Sequence, residues 1–348
     1  MTAAAQAAVD FHRRLMRRRV LTTFGILAAL AVSLALDVAT GPAMLPLESV
    51  VRALVGLPVS PRVEAIVHAI RLPIALMAIV VGAALGVSGV VMQTILNNPL
   101  ASSYTLGISA AAGFGAALAI LAGTAMPLPE AFAVPISAFA FAALACAMVW
   151  GVGRLRGAGP ETLVLGGIAV LFLFQALLSL AQVVASQEVL QMIVFWLFGS
   201  LMKATWPKLA IVASVLAFAI PILLRDCWQL TALRLGEDRA ASLGVRTGAL
   251  RLRAFALVSV LTGAAVAFVG TIGFVGLVAP HIARMLVGED QRVLLPASAL
   301  AGALLLSAAS VAGKSVVPGA ILPVGVVTAL IGVPFFAWLV LMHRRSYW

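Results

Sequence analysis

The chain is expected to be an all-α membrane protein of about ten transmembrane helices, and three observations carry that prediction. Of its 348 residues 63% are hydrophobic and 10% charged, and the mean hydropathy of +1.14 is a balance that no water-facing surface of this size could display. The apolar residues gather into runs close to the roughly 20 residues a helix needs to cross a bilayer. Lys and Arg outnumber Asp and Glu by 23 to 12, and the basic residues fall in the breaks between those runs, so the net charge of +11 reads as membrane topology rather than as a nucleic-acid footprint.

Taken in order, the ten candidate spans are Val20–Leu36, Leu72–Leu96, Tyr104–Met126, Ala131–Gly153, Thr162–Ser186, Leu209–Leu224, Ala254–Phe274, Gly276–Val287, Val293–Gly313 and Leu322–Met342. The first follows Arg13, Arg14, Arg17, Arg18 and Arg19 and has the look of a secretory signal. With membrane segments along the rest of the chain, it reads instead as an uncleaved first helix. The eighth is too short to cross without help, and Val189–Met202 reads as interfacial or re-entrant.

Ten crossings with both termini cytoplasmic place the N-terminal arginines, Arg154, Arg156, the cluster from Arg225 to Arg253, Arg284, Arg292, Arg344 and Arg345 on the inside. Arg52, Arg62, Arg71, Lys203, Lys208 and Lys314 fall outside, a division the positive-inside rule favours. An internal echo runs through the spans. Gly82-Ala83-Ala84, Gly89 and Pro99 recur as Gly263-Ala264-Ala265, Gly270 and Pro280 at an offset of 181, in spans of opposite direction, as an inverted repeat of helices 2–5 and 7–10 would give. Gly82, Gly86, Gly89, Gly113, Gly115, Gly263 and Gly270 lie within spans, where small residues let helix backbones approach closely.

The equipment for chemistry is thin. Cys146 and Cys227 have no partner spacing and read as free thiols, and His12, His68, His281 and His343 form no pair with metal-ligand spacing. The twelve acidic residues sit in loops or at the ends of spans, whereas ion-coupled carriers usually keep a carboxylate at membrane depth. Ala308–Ser315 reads AASVAGKS, a phosphate-loop pattern without its first glycine; it follows an apolar run rather than a strand, so Lys314 reads as an exposed cation. The substantial polar island of the second half is Arg225–Arg253, where a membrane protein without catalytic groups of its own would meet a cytosolic energy source.

Several motifs stand in register along the chain: Arg71-Leu72-Pro73, GAALGVSGVVMQ from Gly82 to Gln93, Asn98-Pro99-Leu100-Ala101, LGEDRAASLGV from Leu235 to Val245, GTIGFVGLVAPHIARMLVG from Gly270 to Gly288, and LPVGVVTALIGVPFFAWLV from Leu322 to Val340. From about Arg62 to Val340 the chain closely resembles the FecCD-like permease subunits of type II ABC importers, which carry ferric siderophores, haem or cobalamin. The resemblance implies a single transmembrane permease domain that binds no cofactor and does no chemistry itself. It also implies a homodimer in a bacterial inner membrane, surrounded by lipid and with no nucleic-acid partner. Two cytosolic ATPase subunits holding ATP and Mg²⁺ and a periplasmic substrate-binding protein would complete the assembly.

By the same resemblance, the cytosolic loop 225–247 folds into short helices that enter a cleft of the ATPase. Leu233, Leu235, Ala241 and Leu243 would supply its apolar face, Glu237, Asp238 and Arg239 its polar face, and Gly236 and Gly244 its turns. Exposed cations that dock the binding protein map to Arg62, Arg71 and Lys314, while the second arginine common after RLP is replaced by Ile74. Ile321 stands where the family commonly has a glutamate, and the inner gate maps to Gly159, Pro160, Glu161 and Thr162, with Pro160 and Glu161 departing from the usual small hydroxyl residues. The expected activity is ATP-driven import of haem or a ferric siderophore, with cobalamin as another cargo. An ion-coupled secondary transporter is the alternative from a different class, and a membrane enzyme is less supported still.

Overall fold

A computed structural model describes residues 3–41, 45–125, 128–317 and 319–342. Met126, His343, Arg344 and Arg345 lie outside the described residues, as do the side chains of Asp10, His12 and Arg14. Every regular element among the described residues is helical: α1 (Ala3–Ala39), α2 (Leu47–Leu54), α3 (Pro61–Ala65), α4 (Leu72–Ile95), α5 (Ile108–Ala122), α6 (Glu130–Arg156), α7 (Pro160–Val184), α8 (Gln187–Leu197), α9 (Trp206–Arg225), α10 (Cys227–Leu233), α11 (Glu237–Ser242), α12 (Thr247–Val269), α13 (Val275–Val287), α14 (Gln291–Ser315) and α15 (Val324–Met342). Seven helices among them are long and apolar enough to cross a membrane, and four shorter apolar ones accompany them.

The expected second span begins earlier than Leu72. Residues Pro61–Ile95 form one continuous helix, because a π-turn over Ile66–Arg71 joins α3 to α4, with Leu72 N–H bonding Val67 O. Pro73 is what invites the shorter reading, since proline lacks a donor and its ring clashes with the carbonyl four residues earlier. Widening the turn just before it accommodates both defects without ending the helix. His68, expected in a loop, therefore sits in that turn, with Nε2 3.2 Å from Ala53 O.

The third and eighth spans are half-length helices. Both begin where the chain turns sharply, α5 after Gly107 at φ +79° and α13 after Phe274 at φ +66°. The first is the ordinary use of glycine, but a bulky residue with positive φ is strained and has to be held by its surroundings. The side chain of Phe274 lies against Gly332 of α15, where even a Cβ would come within 2.5 Å of it. The stretch read as interfacial or re-entrant, Val189–Met202, overlaps α8, which is capped by Ser186, whose hydroxyl accepts from Val189 N–H.

The core is built on α4, whose most apolar 18-residue stretch is 83% buried, against 22% for those of α7 and α9. Glycine makes this possible: a Cβ on Gly82 would lie 2.3 Å from Gly302 O, one on Gly86 2.2 Å from Ser298 O, and one on Gly89 1.8 Å from Gly276 O. Only backbone-to-backbone approach fits α4 between α14 and α13 at that distance. α4 packs on α14 and α12, α12 on α6, α5 on α6, and α13 on α14. Exchanging α4 with α12, α5 with α13 and α6 with α14 leaves the α4–α12 pair in place and converts each of the other pairs into another of the set. The phosphate-loop echo Ala308–Ser315 lies inside α14, in helical conformation that offers no cradle of backbone donors.

Candidate functional site

The polar island folds into α10 and α11 at one end of the bundle, and its glycines define the turns. Gly236 begins α11 at φ +104°, and Gly244 leaves it at φ +83°. A Cβ at either position would meet nothing within 4 Å, so the backbone conformation, not crowding, is what calls for glycine. Ala240 anchors α11 inward, leaving Gly236, Asp238, Arg239, Ala241 and Gly244 exposed. Leu235 and Leu243 project into solvent at 55% and 53% exposure, an apolar pair flanked by charge. Leu233, expected on that same face, is instead buried at the end of α10, so the outward surface is narrower than the sequence implies.

Three sets of side-chain bonds tie this surface to the bundle, and all three end on consecutive residues at the last turn of α4. Arg234 pairs with Glu289 at 3.1 Å, Glu289 accepts from Arg284 Nε at 3.1 Å, and the same guanidinium donates to Gln93 Oε1 at 3.1 Å. Thr231 Oγ1 accepts from Gln291 N–H at 3.2 Å, and the Gln291 amide donates to Thr94 Oγ1 at 2.8 Å. Arg251 of α12 donates through Nε to Ile95 O at 3.0 Å and through Nη1 to Glu237 Oε2 at 2.9 Å and Ala158 O at 3.2 Å. Partial burial pushes the Glu237 carboxyl up, but the bonds from Arg251 and Thr247 outweigh it and hold the group below its ordinary value.

The expected gate residues form the start of α7, next to the Ala158 carbonyl that Arg251 holds. Gly159 is the N-cap, Pro160 the first helical residue and Glu161 an exposed residue of the first turn. Proline has no donor to waste at that position and a carboxylate there suits the helix dipole, so both departures from small hydroxyl residues are those of a well-made helix start. Thr162 is half-buried beside them.

At the opposite end of the bundle, Arg62 is exposed on α3 as expected. Arg71 and Lys314 are not. Arg71 is 5% exposed and donates to Val38 O at 2.8 Å and Ala39 O at 2.7 Å, closing the C-terminal end of α1. Lys314 Nζ is buried 2.6 Å from Asp37 Oδ1, which also accepts from Ser310 at 2.8 Å. The lysine that reads as a surface cation is half of an internal ion pair, because α1 brings a carboxylate from far away in the chain.

A feature the sequence does not signal is a cavity of about 730 Å³ at the turns that precede α5 and α13, against α15. Tyr104 and Thr105 precede α5, Thr271 and Phe274 precede α13, and Val333 and Pro334 of α15 close one side. Its lining is mostly apolar, and Thr271 Oγ1 is spent on Leu197 O. Among the described residues no group of three His, Cys, Asp or Glu could hold a metal ion.

Comparison with known proteins agrees with this architecture. The chain is 38% identical to the hemin transport system permease protein of Yersinia pestis over 80% of this chain and 83% of that one. It is 35% identical to the Fe(3+)-citrate import system permease protein of Bacillus subtilis, over 95% and 98%. A solved metal-chelate type ABC transporter in an inward-facing conformation superposes with a TM-score of 0.82 at 33% identity, covering 92% of this chain and 98% of that one. The model of the FecCD transport family matches residues 29–342, and the chain belongs to that family.

Proposed function

We propose that the chain is the transmembrane permease subunit of an ATP-binding-cassette importer and moves haem or a ferric siderophore from periplasm to cytoplasm by alternating access. Two such subunits pair across a central pathway in a bacterial inner membrane. Separate ATPase chains dock on Leu235–Gly244, and a periplasmic binding protein delivers cargo at the end bearing Arg62. The observation that carries this reading is the exposed Leu235 and Leu243 flanking a folded helix, in a segment tied to the last turn of α4 at three points. A solvated loop has no need of such anchoring.

On this reading the chain crosses ten times with both termini cytoplasmic, and the exchange of packing pairs between the two halves supports an inverted repeat. Nucleotide binding shifts the population between outward- and inward-facing arrangements, and the permease contributes no chemistry. With Arg71 and Lys314 engaged inside the protein, docking of the binding protein rests on Arg62 among the cations assigned to it. The relatives include permeases for hemin, ferric citrate and cobalamin; haem or a ferric siderophore is the cargo proposed, with cobalamin as the alternative.

The test is uptake in proteoliposomes reconstituted with candidate ATPase and binding-protein partners. Uptake should vanish without ATP and persist when ionophores collapse ion gradients. Transport that survives without the ATPase, or that follows an ion gradient, would instead support a secondary transporter. Leu235→Asp and Leu243→Asp should abolish co-purification of the ATPase while leaving the permease folded. Absorbance of the binding protein purified with its native ligand would identify the cargo.

A further inference from the structure

We propose that Arg251 is a positioning residue that couples movement of α11 to the turn preceding α7 and to the last turn of α4; this deepens the reading of Leu235–Gly244 as the ATPase-facing surface and rests on it. The guanidinium is nearly enclosed, with 4% of its side chain exposed, and its three acceptors belong to three different elements. Glu237 is the first residue of α11, the helix that the exposed leucines flank. Ala158 O belongs to the turn whose next residue caps α7. Ile95 O closes α4, from which the chain runs through residues 96–107 to Tyr104 and Thr105 at the cavity.

A planar guanidinium holds its nitrogens in a fixed fork, so a displacement of one acceptor is transmitted to the others or breaks a bond inside the protein. Either outcome links the island to the start of α7 and to the end of α4, from which the segment bearing Tyr104 and Thr105 leads to the cavity. The neighbouring Arg253 shows the contrast. Its side chain is 47% exposed, and it bonds Asp226 and Gln229, both within the island itself. The other two ties from the island reach Gln93 and Thr94 through intermediate side chains, and neither touches the α6–α7 turn. Arg251 joins the island to both places directly.

Lysine at position 251 keeps the charge but, as a compact ammonium on a flexible stem, reaches one of the acceptors at a time. Glu237→Gln keeps both of the bonds to backbone carbonyls and weakens the tie to α11. The experiment reconstitutes the full complex, permease with ATPase and cargo-loaded binding protein, and measures cargo moved per ATP hydrolysed at equal amounts of folded complex. The wild-type complex is measured first, and absence of ATP-dependent uptake there would refute the importer reading itself. Given ATP-dependent uptake, Arg251→Lys should lower the transport-to-hydrolysis ratio by about tenfold, and Glu237→Gln should move it in the same direction. A purely structural role would lower the yield or melting temperature without changing that ratio. Wild-type ratios in both variants would overturn the proposal.

Discussion

Gly89 of α4 and Gly276 of α13 face each other across one helix contact, yet alanine should have very unequal consequences at the two positions. A Cβ built on Gly89 points into the opposing backbone, 1.8 Å from Gly276 O and 2.6 Å from the carbonyl carbon. Backbone cannot swing aside as a side chain would, and ordinary contact begins near 3.4 Å. The two helices must therefore part by roughly 1.5 Å, and α4 has no free side to move to, since it also packs closely on Ser298 and Gly302 of α14. Overpacking of this kind typically costs about 1–3 kcal/mol and occasionally more, and with backbone as the obstacle Gly89→Ala should lie at or above about 3 kcal/mol.

A Cβ on Gly276 points past the contact instead, meeting Leu85 O at 3.2 Å and the Gly89 Cα at 3.8 Å. A shift of a few tenths of an ångström relieves it. Alanine also gains up to about 1 kcal/mol of helix propensity over glycine, so Gly276→Ala should fall within about 1 kcal/mol of the wild type. Unfolding of the purified protein in detergent, followed by tryptophan fluorescence against SDS fraction, measures both. Equal stability of the two variants, or a Gly89→Ala protein as stable as the wild type, would refute the packing attributed to α4.

Three further outcomes follow from particular contacts. Lys314→Met should destabilise the protein by about 3–5 kcal/mol by leaving Asp37 buried without its cation, and Asp37→Asn in the same chain should restore most of the loss; unfolding of the single and double variants checks it. Arg62→Glu should weaken binding-protein association in a salt-dependent manner without changing stability, whereas Arg71→Glu should destabilise the fold by stripping donors from Val38 O and Ala39 O, a contrast read by titration at low and high salt beside a melting curve. Burial pushes the Cys227 thiol up to about 11, aided by the nearby charge of Asp290, and in a Cys146→Ser background native protein should label with maleimide slowly at neutral pH and rapidly once denatured; fast native labelling would contradict the buried thiol.

Much of the architecture is legible along the chain because the partition of a segment into a bilayer is a property of the segment itself. Runs of apolar residues mark the long apolar helices, the short eighth run appears as α13, and the apolar stretch from Val189 overlaps the 11-residue helix α8, which begins at Gln187. The island announces itself by charge, and its motif by resemblance. What escapes is the direction each side chain takes. Arg251 and Arg253 are two residues apart with the same chemistry, and one is enclosed while the other is half exposed. Arg71 and Lys314 have the composition of surface cations, and Leu233 that of an outward apolar residue, until neighbours remote in sequence cover them.

Hydropathy and charge thus settle that this is a multi-helix membrane protein and where its polar segment lies, since both act residue by residue against solvent and lipid. Packing settles the rest: the π-turn before Pro73, the ion pair of Asp37 with Lys314, the cavity at the turns before α5 and α13, and the convergence of the island on Gln93, Thr94 and Ile95. These depend on which helix faces meet, and in α4 the rows of glycine that permit the meeting carry no mark of which partner each will touch.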